Sequence, residues 1–210
     1  MRDHAGLSDS ALLLLGHGST ENPDSSAPTL AHADEIRRRG IFAEVQCAFW
    51  KEEPGFALSH YLFESETIYT VPNFISEGYF TREVIPRELG LNGPTTLRDG
   101  KTFHYCDPVG IHPSMTRLLA DRAREIAPDV LPEETALIIV GHGTGLNAKS
   151  TEAVRVQVDR LMELGLGYGH ILDAYMEEAP FIAEWDQLTS MPNVLVVPFF
   201  IADGLHSFQD

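Results

Sequence analysis

A chain of 210 residues is long enough for one large domain or two small ones, and it can bury a real core. Apolar residues make up 43% and charged residues 22%, the ordinary balance of a globular protein. Lys and Arg total 15 against 31 Asp and Glu, and the resulting formal charge of −16 repels phosphate backbones, which argues against nucleic-acid binding.

The first apolar run, residues 11–15, is far too short to span a membrane. No basic segment or small-residue cleavage site frames it as a leader. It is expected instead as a strand covered on both faces. It ends in Gly16-His17-Gly18 and leads into a helix near residues 27–39. Strands are expected near 43–49, 67–71 and 103–105, and residues 92–101, rich in Gly, Pro and Thr, are expected as a surface loop. A helix is placed at 113–126, followed by a linker at 127–134. The second long apolar run, 136–140, ends in Gly141-His142-Gly143 and leads into a helix at 148–164, where Val154, Val158, Leu161 and Met162 share one face. Strands at 170–175 and 194–198 complete the series. Strands alternating with helices predict an α/β fold with parallel sheets and right-handed crossovers.

The chain also matches itself. Ala11-Leu-Leu-Leu-Leu-Gly-His-Gly-Ser19 resembles Ala136-Leu-Ile-Ile-Val-Gly-His-Gly-Thr144, at an offset of 125. Ala48-Phe-Trp-Lys-Glu-Glu-Pro54 resembles Ala174-Tyr-Met-Glu-Glu-Ala-Pro180, and Val71-Pro-Asn-Phe-Ile-Ser-Glu-Gly78 resembles Val197-Pro-Phe-Phe-Ile-Ala-Asp-Gly204, both at 126. Three matches in one order at nearly one offset predict a duplicated unit, with lobes at 1–128 and 129–210. The second copy stops six residues after Gly204, so its last strand and helix are expected to be missing, or to lie beyond Asp210.

In open parallel sheets ligands sit at the carboxyl ends of strands, where loops converge. The repeated motifs lie at three such ends. In the second copy they offer His142, then Glu177 and Glu178, then His206. Imidazole and carboxylate suit Zn, Fe, Co or Ni, and two His with one carboxylate leave coordination positions open for chemistry. In the first copy Lys51 stands where Glu177 does, and Phe80 where His206 does. An ammonium group repels a cation and a phenyl ring does not ligate one, so metal chemistry belongs to the second copy, with His17 a secondary candidate.

Each residue has a plainer explanation when taken alone. A single His after a strand is commonly a hydrogen-bonded turn residue, and Glu177-Glu178 alone would be a solvated helix start. The combination at equivalent strand ends outweighs these. His4, His32, His60 and His170 are expected to be structural, His104 packed within its strand, and His112 a weak candidate for the cleft. Cys47 and Cys106 form no CxxC and are expected as reduced thiols, which points to the cytoplasm. Walker, dinucleotide-binding, nucleophile-elbow and His-Glu-x-x-His motifs are absent from the sequence.

Leu-Leu-Leu-Gly-His-Gly-Ser after the first strand, Ala174-Tyr-Met-Glu177 with Pro180, and Val197-Pro-Phe-Phe-Ile-Ala-Asp-Gly-Leu-His206 together resemble the class II tetrapyrrole chelatases. That family includes the sirohydrochlorin cobaltochelatases and ferrochelatases. The resemblance implies two Rossmann-like lobes facing a central cleft that holds the macrocycle. It also implies insertion of a divalent ion (cobalt or iron, with nickel open) without ATP or an organic cofactor. Carried over by position, His142 and His206 would bind the metal and Glu177 would be their acidic partner. The turn amides after Gly143, with Thr144, would meet substrate carboxylates. A non-catalytic metal or tetrapyrrole carrier is the alternative, and a metal-dependent hydrolase a more distant one. The oligomeric state is left open.

Overall fold

The computed structural model describes residues 6–143 and 148–201. His4, Thr144 and His206 therefore lie outside the described residues. The chain forms two compact units. One is built from the chain up to Phe74 together with Tyr79–Val109, and the other from Ile75–Gly78 together with Gly110–Phe200.

In the first unit, strand β1 (Ala11–Gly16) is buried along its whole length. Helix α1 (Ala27–Arg39) begins with a proline in its first turn and ends at Gly40, whose φ of 60° provides a left-handed stop. Arg37, Arg38 and Arg39 fill its last turn, where the helix dipole favours cations. Then come β2 (Glu44–Phe49), β3 (Thr67–Pro72), a short helix α2 (Ile85–Leu89), β4 (Thr95–Arg98) and β5 (Lys101–Tyr105). The sheet order is β2-β1-β3-β5-β4, parallel except for β4.

Alternation along β1 explains its two-sided burial. Leu13 and Leu15 pack with Phe56, Ile85 and Leu89 on one face, and Leu12 and Leu14 pack with Ala33, Val45 and Cys47 on the other. A strand flanked this way must be apolar at every position, which is why it shows as an uninterrupted run.

The second unit contains α3 (Ser114–Ile126), β6 (Thr135–Gly141), α4 (Ala148–Glu163), β7 (His170–Tyr175), the short α5 (Trp185–Leu188) and β8 (Asn193–Pro198). Its sheet is β7-β6-β8, all parallel. Leu137 and Ile139 of β6 face α3 and α4, whereas Ile138 and Val140 pack with Ala174 on the opposite side.

One expectation is corrected. Residues 92–101 are not a plain loop, because β4 pairs antiparallel with β5 from Thr95↔His104 to Arg98↔Lys101. The connection is Asp99-Gly100, with φ of 49° and 77°, the left-handed pair that closes a two-residue hairpin. By compactness the chain divides at 109/110, whereas the sequence copies are expected to meet at 128/129. Helix α3 presents Leu119, Ala120 and Ala123, spaced as one helical face, to the core made by Leu137, Val154, Val158 and Leu161. A buried brace secures it. The Thr116 hydroxyl donates to Gln157 Oε1 at 2.6 Å, and Gln157 Nε2 donates to the Gly110 carbonyl at 3.0 Å. Residues 127–134, expected as the linker between lobes, lie inside this unit, and Pro132–Glu134 forms a single 3-10 turn leading into β6.

Among the described residues no helix is long and apolar enough to cross a membrane.

Candidate metal site

The two sets of three central strands share order and direction, β2-β1-β3 and β7-β6-β8. Ala11 pairs with Glu44 and Ile68, and Ala136 pairs with His170 and Val194. The hydrogen bonds beyond the strand ends also correspond. Lys51 N donates to the His17 carbonyl and Glu177 N to the His142 carbonyl, both at 3.0 Å. Asn73 N donates to the Leu15 carbonyl and Phe199 N to the Val140 carbonyl, both at 2.8 Å. The X-Pro bonds at Pro54 and Pro180 are both cis. The Gly16-His17-Gly18 and Gly141-His142-Gly143 turns thus occupy the same place in their respective sheets.

This backbone arrangement brings residue 177 beside His142. The main-chain bond from Glu177 to the His142 carbonyl ties the end of β7 to the turn after β6, and it sets the two side chains together. His142 Nδ1 lies 3.7 Å from Glu177 Oε1, and both side chains are about half exposed, at 50% and 51%. Ligand bonds of about 2.0–2.2 Å would let one ion touch both atoms across that gap. Among the described residues no third His, Cys, Asp or Glu joins them. His206 lies outside those residues.

Glu178 does something different from Glu177. Its Oε1 accepts a short hydrogen bond from Thr151 Oγ1, and its side chain packs on the turn glycine. Gly143 has φ of +70°, and a Cβ there would stand 2.8 Å from both Glu178 Cγ and Tyr175 Cβ. Two constraints therefore demand glycine: the left-handed backbone and the absence of space. In the first unit Gly18 has φ of +64°, and a Cβ there would meet Glu52 Oε1 at 2.9 Å. Glu52 Oε1 also accepts the Ser19 amide at 2.7 Å. Glu178 and its counterpart Glu52 thus anchor their turns, and Glu177 is left to face His142. The sequence pattern offered both acids, and only the positive φ of the turn glycine separates their roles.

At the equivalent strand ends of the first unit Lys51 takes the place of the carboxylate. His17 is exposed, with Nδ1 2.8 Å from the Gly18 carbonyl, and its ring meets Phe80 edge-on at a centroid distance of 5.0 Å. Lys51 stands on the strand end beside it.

Four of the remaining histidines have local partners. His104 stacks on Tyr69 at 5.0 Å and reaches Thr95 Oγ1 at 3.2 Å, and His170 reaches Thr189 Oγ1 at 3.0 Å. His112 Nδ1 lies 2.8 Å from Ser114 Oγ and accepts the Ser114 amide at 3.2 Å, so this ring nitrogen caps the approach to α3. His60 is buried against Arg98. Neither thiol is poised to react: burial pushes Cys47 up to about 11 and raises Cys106 as well.

Parallel strands covered on both faces, with an imidazole and a carboxylate meeting at their carboxyl ends, define a chelatase-like α/β protein. The chain belongs to the CbiX family, whose model matches residues 11–126. It is 40% identical, over 95% of its length and 74% of the relative's, to a protein of Halobacterium salinarum named a probable sirohydrochlorin cobaltochelatase. DR2241 from Deinococcus radiodurans is similar in structure, with a TM-score of 0.80 and 29% identity over 94% of this chain. It is described as a multi-domain protein with structural similarity to chelatases and two additional domains, and the chain spans 45% of it. SirB from Bacillus subtilis, solved with Fe3+, shares the fold at a TM-score of 0.76 and 17% identity, over 94% of this chain and 79% of that one.

Proposed function

We propose that this chain inserts a divalent metal ion, cobalt or iron, into sirohydrochlorin or a closely related tetrapyrrole, without ATP or an organic cofactor. The observation that carries the reading is the 40% identity, spread over 95% of the chain, to the probable sirohydrochlorin cobaltochelatase of Halobacterium salinarum. The His142–Glu177 pair adds a donor set suited to such an ion.

Insertion exchanges one M2+ for two pyrrole N–H protons, so the reaction releases two protons and leaves the macrocycle's charge unchanged. The protein needs to strip water from the ion, hold it while macrocycle nitrogens replace the first ligands, and accept protons. His142 and His206 are assigned as nitrogen ligands. Glu177 offsets the ion's charge and, once the ion has left, carries a proton toward solvent, which its half-exposed carboxylate permits. The ligands must also release the ion, and a pair open to solvent suits transfer better than a closed four-ligand site. The amides after Gly143, with Thr144, are assigned to peripheral carboxylates. Two thiols with no disulfide between them fit a cytoplasmic setting.

Anaerobic incubation of the full chain with sirohydrochlorin and Co2+, Fe2+ or Ni2+ in turn tests the reading, followed by the change in macrocycle absorbance. Catalytic turnover is expected with cobalt or iron. Stoichiometric binding of macrocycle and ion with no rate above the uncatalysed one would identify a carrier instead.

A further inference from the structure

The strand-end surface of the first unit holds an aromatic cluster that the metal chemistry does not use. Phe80 is its hub. The rings of His17, Trp50 and Tyr79 meet it edge-on at 5.0, 5.9 and 6.2 Å, with interplanar angles of 67°, 74° and 78°. Phe74 stacks beneath at 6.2 Å. Edge-to-face packing of this kind fixes ring orientations, so the cluster is a rigid surface. It is also open: Trp50 is 37% exposed and Tyr79 64%. Single exposed apolar residues need no explanation, but rings gathered at the carboxyl ends of parallel strands mark a ligand surface.

The copies differ most here. Aligned by the repeat, Trp50, Tyr79 and Phe80 correspond to Met176, Leu205 and His206, and Lys51 corresponds to Glu177. Where the second copy carries metal ligands, the first carries rings and a cation. Lys51 is exposed and adjoins Trp50. The two carboxylates that follow it are engaged with backbone amides: Glu52 takes the Ser19 N–H at 2.7 Å and Glu53 the Gly55 N–H at 2.9 Å. A flat, conjugated, multiply carboxylated ring matches such a face, with π-surface for the aromatics and a carboxylate for the ammonium.

We infer that the first unit is a macrocycle-holding platform, in which Trp50 and Tyr79, braced by Phe80, contact the tetrapyrrole and Lys51 pairs with one of its peripheral carboxylates. This rests on the chelatase reading for the identity of the ligand. Lys51 and the rings set substrate affinity, while His142, Glu177 and His206 handle the ion.

Trp50 is one of two tryptophans, so Trp185→Phe leaves it as the sole indole reporter. Titrating that variant with metal-free sirohydrochlorin is expected to quench Trp50 emission. Trp50→Leu, Tyr79→Ala and Lys51→Met should each weaken macrocycle binding by roughly three- to tenfold. KM for the macrocycle should rise with kcat largely retained, and Co2+ affinity measured without macrocycle should not move. Unquenched Trp50 emission on binding, or unchanged macrocycle affinity in all three variants while insertion proceeds, would overturn the platform and leave the chelatase reading intact. Quenching and weakened binding as expected, with no insertion of Co2+ or Fe2+ by the parent chain, would sink the chelatase reading and leave the platform standing.

Discussion

Glu177 Oε1 stands 3.7 Å from His142 Nδ1, and its own amide is bonded at 3.0 Å to the His142 carbonyl. The main chain thus places the carboxylate, and the side chain does not have to find the imidazole across open solvent. In the first unit the same amide bond positions Lys51 beside His17. One backbone device presents opposite charges in the two copies, and a cation is repelled by the ammonium group and attracted by the carboxylate.

His142→Ala and His206→Ala are each expected to lower insertion by more than about a hundredfold, since even partners of metal ligands commonly cost 10- to 100-fold. His17→Ala should do less harm, because an imidazole beside an ammonium group holds a cation poorly. Rates at matched concentrations of folded protein provide the measurement. An inactive His17→Ala protein alongside a near-normal His142→Ala protein would move the metal site to the first unit.

The adjacent acids give a sharper contrast. Glu177→Gln removes the charge facing His142 and is expected to weaken Co2+ binding and slow insertion by roughly tenfold or more. Glu178→Gln keeps an acceptor for Thr151 and the packing against Gly143, so metal affinity should stay near that of the parent. Calorimetric titration with Co2+ separates the two. Equal losses in both variants would show that the acids act as one cluster.

Much of this organisation was legible in the sequence, for physical reasons that differ by element. Strands β1 and β6 stood out because burial on both faces leaves no polar position to break the run. The replacement of Glu177 by Lys51 was visible because the repeat holds a constant offset. Strand β4 was not found, since only Thr96 of its four residues is buried and Leu97 is 76% exposed, so no apolar run announces it. The Asp99-Gly100 pair was the available signal. Helix α3 was recognised, and it packs on the core formed by the residues that follow it in the chain. Its apolar face, Leu119, Ala120 and Ala123, records that a core exists on that side but not whose core it is. The split between Glu177 and Glu178 depends on the left-handed turn at Gly143, and no local pattern encodes it.

Gln157 is fully buried between α3, α4 and the chain at Gly110. Gln157→Leu would leave the Thr116 hydroxyl and the Gly110 carbonyl without these partners, at about 1–3 kcal/mol each. A net loss of roughly 2–4 kcal/mol is expected. Urea unfolding should show a lower midpoint at unchanged slope. A midpoint within error of the parent's would mean that the brace contributes nothing and that α3 is held by its apolar face alone.

His60 supplies a pH-dependent contribution to stability. It is 4% exposed, its Nε2 lies 3.3 Å from an Arg98 guanidinium nitrogen, and its ring stands 3.9 Å from that of Tyr61. Burial lowers its pKa below the ordinary 6.5, and Arg98 and Lys101 push the same way, while Asp99, 3.9 Å from Nε2, opposes them. In the unfolded chain the imidazole takes up a proton as pH falls through about 6.5, whereas in the folded protein it resists until a lower pH. The unfolded state therefore binds more protons across that window, and stability falls as pH drops from 6.5 toward the folded value. Above 6.5 the His60 contribution is constant. Its slope within the window cannot exceed about 1.4 kcal/mol per pH unit, the limit for one proton. Urea midpoints of the parent and His60→Phe, taken from about pH 7.5 to about pH 5, should diverge below 6.5, with the parent losing stability faster. Carboxylates elsewhere contribute equally to both proteins and cancel in the difference. Parallel curves through the whole range would mean that His60 ionises in the fold as easily as in the unfolded chain, and the buried neutral imidazole would have to be abandoned.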